Sequence, residues 1–181
     1  MYGPPVDLSF KDLTSATGAL MEVPRNGQRN LKINSEGKYL SRSLRLCYNS
    51  ISDLIGLEYV CEHFLAQPWN IGWLDLSFNK ITCINTVFVF QVLCRLRELR
   101  VLYLHGNAIW ELSEVNNLKE LPCLHNITLH GNAIGSSKNY RKHVIFTLPQ
   151  LKMLDFTAVT RDERLLANIC PDVSKHGKAT K

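Results

Sequence analysis

No run of about 18 consecutive apolar residues occurs in this chain, and that is the length a membrane-spanning helix needs. The richest segment, Ile84 to Leu96, is broken by Asn85, Thr86, Gln91 and Arg95, so no membrane partner is expected. The opening residues, MYGPPVDLSFKDL, lack a basic segment followed by an apolar one, so a secretory leader is not expected either. The six cysteines (Cys47, Cys61, Cys83, Cys94, Cys123 and Cys170) form no Cys-x-x-Cys pair. Their scatter argues against a zinc site and a disulfide framework, and favours free thiols in a reducing, cytoplasmic compartment. Catalytic signatures are also missing: there is no glycine-rich phosphate loop, no G-x-S-x-G and no H-E-x-x-H. The expectation is a protein that is not an enzyme, with no cofactor and no small-molecule substrate.

What the chain does have is a repeat. Residues 99–109, LRVLYLHGNAI, and 124–134, LHNITLHGNAI, share six consecutive letters 25 positions apart. Both are apolar at the first, fourth, sixth and eleventh positions, with Asn at the ninth. Residues 71–81, IGWLDLSFNKI, fit the same template, and residues 41–51, SRSLRLCYNSI, fit with Ser41 at the first position. Residues 151–161 begin correctly with Leu151, Leu154 and Phe156, then place Val159 where Asn belongs. Leu-x-x-Leu-x-Leu-x-x-Asn-x-Leu is the leucine-rich repeat signature. At 181 residues the chain suits one domain.

Three parts are expected. Residues 1–40, punctuated by Pro4, Pro5, Gly18, Pro24, Gly27 and Gly37, read as a partly extended arm that docks Val6, Leu8, Phe10, Leu31 and Ile33 on the first repeat. Residues 41–170 read as the repeat domain, with repeats starting at 41, 71, 99 and 124 and a cap from 151. Residues 171–181, PDVSKHGKATK, read as a basic tail. Within a repeat, alternation turns Leu74 and Leu76 inward and Trp73, Asp75 and Ser77 outward. The ninth-position residues Asn49, Asn79, Asn107 and Asn132 are expected to stack as a structural ladder that satisfies backbone groups in each bend.

The return segments carry helical spacing. Leu54, Leu57, Val60 or Cys61, Phe64 and Leu65 form one stripe, with Ser52 or Asp53 as a candidate N-cap. Residues 86–98 form a second, with Phe88, Val92 and Leu96 inward. Residues 111–121 form a shorter third through Leu112, Val115, Leu118 and Leu121. The predicted fold is an α/β solenoid with a short parallel sheet on its concave face, helices on its convex face and a C-terminal cap in which Arg164 pairs with Asp155.

The concave face is the expected binding site. Trp73, Phe78 and Tyr103 gather there with Tyr48, near an Arg45–Asp75 pair, and exposed aromatics beside charge are what protein interfaces use. His105 and His130 occupy the same column about 5 Å apart on adjacent strands. Two imidazoles fall short of a zinc site, which takes three or four protein ligands, so no metal is expected. Charge is uneven: residues 138–181 hold nine Lys+Arg against four Asp+Glu, while the preceding residues balance. That excess reads as a solvated tail or as attraction to an acidic surface, such as tubulin or nucleic acid.

Tyr140-Arg141, Val144-Ile145, Leu148-Pro149, Leu151, Leu154-Asp155, Val159 and Glu163-Arg164 resemble the cap of an intracellular leucine-rich repeat subclass. That subclass includes phosphatase regulators, the spliceosomal U2 A-prime protein and axonemal dynein light chain 1. PPVDLSF at 4–10, IGWLDLSFN at 71–79, VLYLHGN at 101–107, EVNNLKELP at 114–122 and ITLHGN at 127–132 resemble the leucine-rich repeat-containing protein 51 family. The resemblance implies a non-catalytic, protein-binding scaffold of the ciliary or flagellar axoneme, associated with microtubule proteins. The alternatives it leaves are an adaptor in a spliceosomal or other RNA–protein complex and a phosphatase regulatory subunit. Nucleic acid is not the expected direct partner.

Overall fold

The computed structural model describes residues 3–84 and 87–169. Its sheet follows chain order: β1 (Val6–Asp7), β2 (Ser43–Arg45), β3 (Trp73–Asp75), β4 (Val101–Tyr103), β5 (Asn126–Thr128), β6 (Met153–Leu154) and β7 (Thr157–Ala158). Neighbours from β1 to β6 pair in parallel, and β7 turns back antiparallel. Register follows the template, so Leu44, Leu74, Leu102, Ile127 and Leu154 lie side by side. These fourth-position residues are buried, as are Leu46, Leu76, Leu104 and Leu129 at the sixth and Ile51, Ile81, Ile109 and Ile134 at the eleventh. Each such side chain stabilises the fold by roughly 1.5–3 kcal/mol, which is why three-residue strands suffice.

The return segments cover the other side of this core. In α1 (Leu57–Phe64) the buried residues Leu57, Val60, Cys61 and Phe64 recur at helical spacing. Its N-cap is Gly56, in the left-handed region at φ 81°, and neither Ser52 nor Asp53 caps it; Asp53 instead accepts a hydrogen bond from the Ile55 N–H. A Cβ at position 56 would stand 2.3 Å from Thr17, so the 3-10 turn Thr17–Met21 packs there only against glycine. α2 (Val87–Arg95) is followed by buried Leu96, and Val92 and Leu93 face inward; the Phe88 side chain lies outside the described residues. The third return segment is a 3-10 helix, Leu112–Glu120, which buries Val115 and Leu118.

The arm expected at residues 1–40 begins as a repeat. Val6 and Leu8 align with Leu44 and Leu46, and Leu13 is buried like the eleventh-position isoleucines. Gly3 and Lys11 stand where the template has Leu and Asn, which hides this copy from a pattern search. Phe10 and Ile33, expected to dock inward, are both exposed. Ser41, the departure at the first position of the next repeat, is buried and donates to the Pro4 carbonyl at 2.7 Å.

The asparagine ladder forms. Asn79 donates to the Leu46 and Leu76 carbonyls and accepts from Ile51 N–H; Asn107 repeats this with Leu76, Leu104 and Ile81. Asn132 does so with Leu104, Leu129 and Ile109. Asn49 serves the first copy, accepting from the N–H groups of both Lys11 and Leu13.

The cap is built on polar contacts. Arg141, on α3 (Tyr140–Thr147), pairs with Glu163 on α4 (Arg161–Ile169) and donates to the Leu154 and Ala158 carbonyls. Thr160 and Glu163 form a reciprocal capping box at the start of α4, with Thr160 N–H to Glu163 at 2.8 Å and Glu163 N–H to Thr160 at 3.2 Å. Arg164 does not reach Asp155; it donates to the carbonyls of Pro149 and Leu151, and Tyr140 takes Asp155 at 2.7 Å. The expected tail 171–181 lies outside the described residues, as does Cys170.

The Arg141 hydrogen bond, seconded by the Thr160 N–H, holds the Glu163 carboxyl down at about 2, against an ordinary 4.5. A carboxyl lowered on folding stabilises the fold above its unfolded value and loses that contribution as pH falls through the folded one. The thermal midpoint of the wild type should therefore drop between about pH 4.5 and 2. Glu163→Gln should be the less stable protein at neutral pH, with the gap closing across that window in thermal scans. A gap independent of pH would remove the ion pair from the account.

Candidate protein-binding face

Outward columns line the concave face, and the first copy adds Asp7 to one and Phe10 to another. The fifth-position column runs Asp7, Arg45, Asp75, Tyr103, Thr128. Arg45 lies between the two carboxylates, 3.2 Å from Asp7 and 3.8 Å from Asp75, so the expected Arg45–Asp75 pair is one side of a three-charge row. Its guanidinium also lies 5.3 Å from the Trp73 ring. Asp7 and Asp75 each accept from the N–H and hydroxyl of the serine two residues on, Ser9 and Ser77. Burial raises the Asp7 carboxyl, but the Ser9 hydrogen bonds and Arg45 outweigh it and leave it below its ordinary value.

The eighth-position column decides the character of the face. Phe10, Tyr48, Phe78, Gly106 and Gly131 all have φ between 52° and 72°, the left-handed region. In a non-glycine residue that conformation costs roughly 1–2 kcal/mol. Glycine takes it in the last two copies for a packing reason as well: a Cβ at Gly106 would stand 2.7 Å from the Phe78 ring. The first three copies place aromatic rings there instead. Phe10 stacks on Tyr48 at 4.6 Å and Tyr48 on Phe78 at 4.4 Å, and Phe78 meets the His105 edge at 5.0 Å. Stacking returns about 0.5–1.5 kcal/mol per pair. Tyr48 remains 46% and Phe78 42% exposed.

Trp73 and Tyr103 join this strip edge to face at 5.6 Å. Phe156 completes it from the far end. A two-residue turn, Asp155 at φ 52° and Phe156 at φ 62°, reverses the chain from β6 into β7. The turn aims Phe156 away from the core, where the repeat template puts it, and onto the concave face. Its ring stands 5.5 Å from Tyr103, 5.8 Å from His105 and 5.7 Å from His130.

His105 and His130 stack with centroids 4.7 Å apart, as their shared column requires. Their Nδ1 atoms are engaged, His105 with Thr128 at 2.7 Å and His130 with Asp155 at 3.2 Å. Burial, then the neighbouring His130, keeps His105 below the ordinary imidazole range. Burial would raise Asp155, but the Leu129 N–H, the Tyr140 hydroxyl and the His130 N–H hold it down. Burial, with Asp75 nearby, pushes the Cys47 thiol up to about 12, which makes it an unreactive neighbour of the strip. Every concave residue expected from the sequence (Arg45, Tyr48, Trp73, Asp75, Phe78, Tyr103, His105 and His130) lies on this one surface. Asp7, Phe10 and Phe156 are the members the pattern did not reveal.

A solenoid with this repeat and this inner face is a leucine-rich repeat protein, a protein-interaction scaffold, and residues 63–180 match the family model described as Leucine-rich repeat. The chain is 42% identical over 166 residues to leucine-rich repeat-containing protein 51 of Rattus norvegicus, spanning 92% of this chain and 84% of the relative. It belongs to the leucine-rich repeat-containing protein 51 family. It is also 39% identical over 148 residues to U2 small nuclear ribonucleoprotein A′ of Saccharomyces cerevisiae, spanning 79% of this chain and 59% of that protein. Among solved structures it shares its fold with a chain of the Drosophila melanogaster SNF/U2A′ complex, at TM-score 0.61 and 20% identity over 81% of this chain and 89% of the other. No described helix is long and apolar enough to cross a membrane.

Proposed function

We propose that this scaffold docks a partner protein on its concave aromatic strip, and that it does so as a non-catalytic structural or docking component of the ciliary or flagellar axoneme. The eighth-position column carries the docking part. Three successive repeats hold partly exposed aromatic rings in a backbone conformation that the next two repeats give to glycine. Strain concentrated on a solvent-facing patch, where it adds nothing to the core, is the mark of a surface kept for contact. The axonemal setting is supported by the family resemblance and by the basic excess of residues 138–181, which suits the acidic surface of tubulin. The protein should stay with detergent-extracted axonemes and leave them at high salt; complete release with the detergent-soluble fraction would remove the axonemal setting.

A second reading, an adaptor in an RNA–protein complex, is favoured by the 39% identity to a U2 ribonucleoprotein. It predicts co-purification with RNA that ribonuclease abolishes.

A further inference from the structure

Gly3, Pro4 and Pro5 run beside β2, and with the nearby Arg29 they border an open cavity of about 310 Å³ lined also by Ser43, Arg45 and Trp73. A second cavity, of about 410 Å³, shares Pro4, Pro5, Arg29 and Arg45. The first is large enough for one side chain of a bound segment, and its polar character is one-sided. Pro4 and Pro5 offer no N–H. The Gly3 and Pro4 carbonyls are already taken, by the hydroxyls of Ser43 at 3.3 Å and Ser41 at 2.7 Å.

Donor capacity is what remains. Arg29 is exposed and forms no hydrogen bond or ion pair among the described residues. Arg45 uses Nη1 on Asp7 and turns Nε towards Asp75, while its Nη2 has no hydrogen-bond partner among those residues. The Trp73 ring and the two flanking carboxylates fix the plane of the Arg45 guanidinium. A pre-oriented guanidinium beside a second, uncommitted one matches the fork geometry of a carboxylate.

The surroundings select among anions. Asp7 and Asp75 already flank Arg45, so Arg29 is the cation left to balance an incoming charge, and one negative group between Arg45 and Arg29 is matched where a second would not be. A polyanion following the row would meet both aspartates, and its binding requires many cationic contacts along a backbone. The apolar wall of Trp73 and the prolines likewise suits a side chain with a short aliphatic stem.

We propose that this cavity is a carboxylate subsite: an Asp or Glu side chain of the partner segment enters it and pairs with Arg29 and Arg45, while that segment's apolar neighbours lie on the strip from Tyr48 to Tyr103. The inference rests on the concave docking reading and names the chemistry of the segment that docks. It requires the partner to carry an acidic residue beside apolar ones.

The test is nuclear magnetic resonance on the full chain with three probes: the blocked peptide acetyl-Ala-Leu-Glu-Leu-Ala-amide, its Gln counterpart, and inorganic phosphate. The Glu peptide should shift the Trp73 indole N–H and the Arg29 and Arg45 Nε signals saturably. The Gln peptide, or the Glu peptide on Arg29→Ser, should bind about tenfold more weakly. Arg29 makes no contact the fold needs, so its variant folds as the wild type does. Equal binding by Gln, indifference to Arg29→Ser, or a stronger response to phosphate would overturn the subsite. Shifts confined to Tyr48, Phe78 and Tyr103 and insensitive to Arg29→Ser would sink the subsite and leave the docking face standing; no shift anywhere on the face would count against both.

Discussion

Asn107→Ala lowers the stability of this protein by about 3–5 kcal/mol. The side chain is buried in the bend between two repeats. Its amide donates to the Leu76 carbonyl at 2.9 Å and the Leu104 carbonyl at 3.0 Å, and its oxygen accepts from the Ile81 N–H at 3.0 Å. Alanine leaves the Ile81 N–H without a partner, at a cost of roughly 1–3 kcal/mol, and takes one of two donors from each carbonyl, roughly 0.5–1.5 kcal/mol apiece, since Leu76 keeps Asn79 and Leu104 keeps Asn132. Because the three groups belong to two adjacent repeats, the loss weakens their interface, on which the stability of a solenoid depends. In thermal scans the midpoint should fall by about 10 °C, from the usual shift of roughly 2–4 °C per kcal/mol at this size. Asn107→Asp should be comparably harmful, since it turns a second oxygen towards two carbonyls. A change below about 1 kcal/mol would mean that water replaces the ladder at little cost.

The second large effect falls on binding. Trp73→Ala combined with Tyr103→Ala should weaken a concave-face partner by about 2–4 kcal/mol, a loss of roughly 30- to 1,000-fold in affinity. Both rings project to the solvent side of their strands, while Leu74 and Leu102 between them hold the core. The double variant should therefore keep its circular dichroism and most of its thermal stability while losing its partner. Trp73 also flanks the Arg45 guanidinium at 5.3 Å, so its removal loosens the charged row together with the aromatic strip. Calorimetric titration of the two proteins with the purified partner separates these outcomes. Loss of fold together with loss of binding would assign the rings to structure instead.

Much of this architecture is legible in the sequence because the template fixes register. Leucines at the fourth and sixth positions and Asn at the ninth say which side chains point inward and which outward, so the concave residues from Arg45 to His130 could be named in advance. The pattern fails at the two ends, for different reasons. At the first end, Lys11 replaces the ninth-position Asn, and its bend is served from the next repeat by Asn49, so the chemistry is present but the letter is not. The alternation of Val6, Leu8 and Phe10, with Asp7 and Ser9 repeating the Asp75–Ser77 spacing, was the signal that marked a further copy. At the other end, Leu154 to Thr157 turns through two left-handed residues with no Gly or Asn to announce them. Period-two alternation continues in the letters through Phe156 while the backbone has already reversed, so Phe156 reads as core and stands on the face. The polar cap was unreadable for a third reason. Arg141, Glu163, Arg164, Tyr140 and Asp155 could pair in several ways, and the capping box at Thr160 is what places Glu163 against Arg141 and leaves Asp155 to Tyr140.

The concave strip is the proposed seat of a partner protein. A photo-reactive amino acid placed at Phe78, in the middle of the strip, and in a second protein at Tyr59, exposed on α1 on the opposite side, tests it directly in ciliated cells. A discrete protein adduct is expected from position 78, abolished by Trp73→Ala with Tyr103→Ala, and none from position 59. An adduct from position 59 with none from position 78 would contradict it.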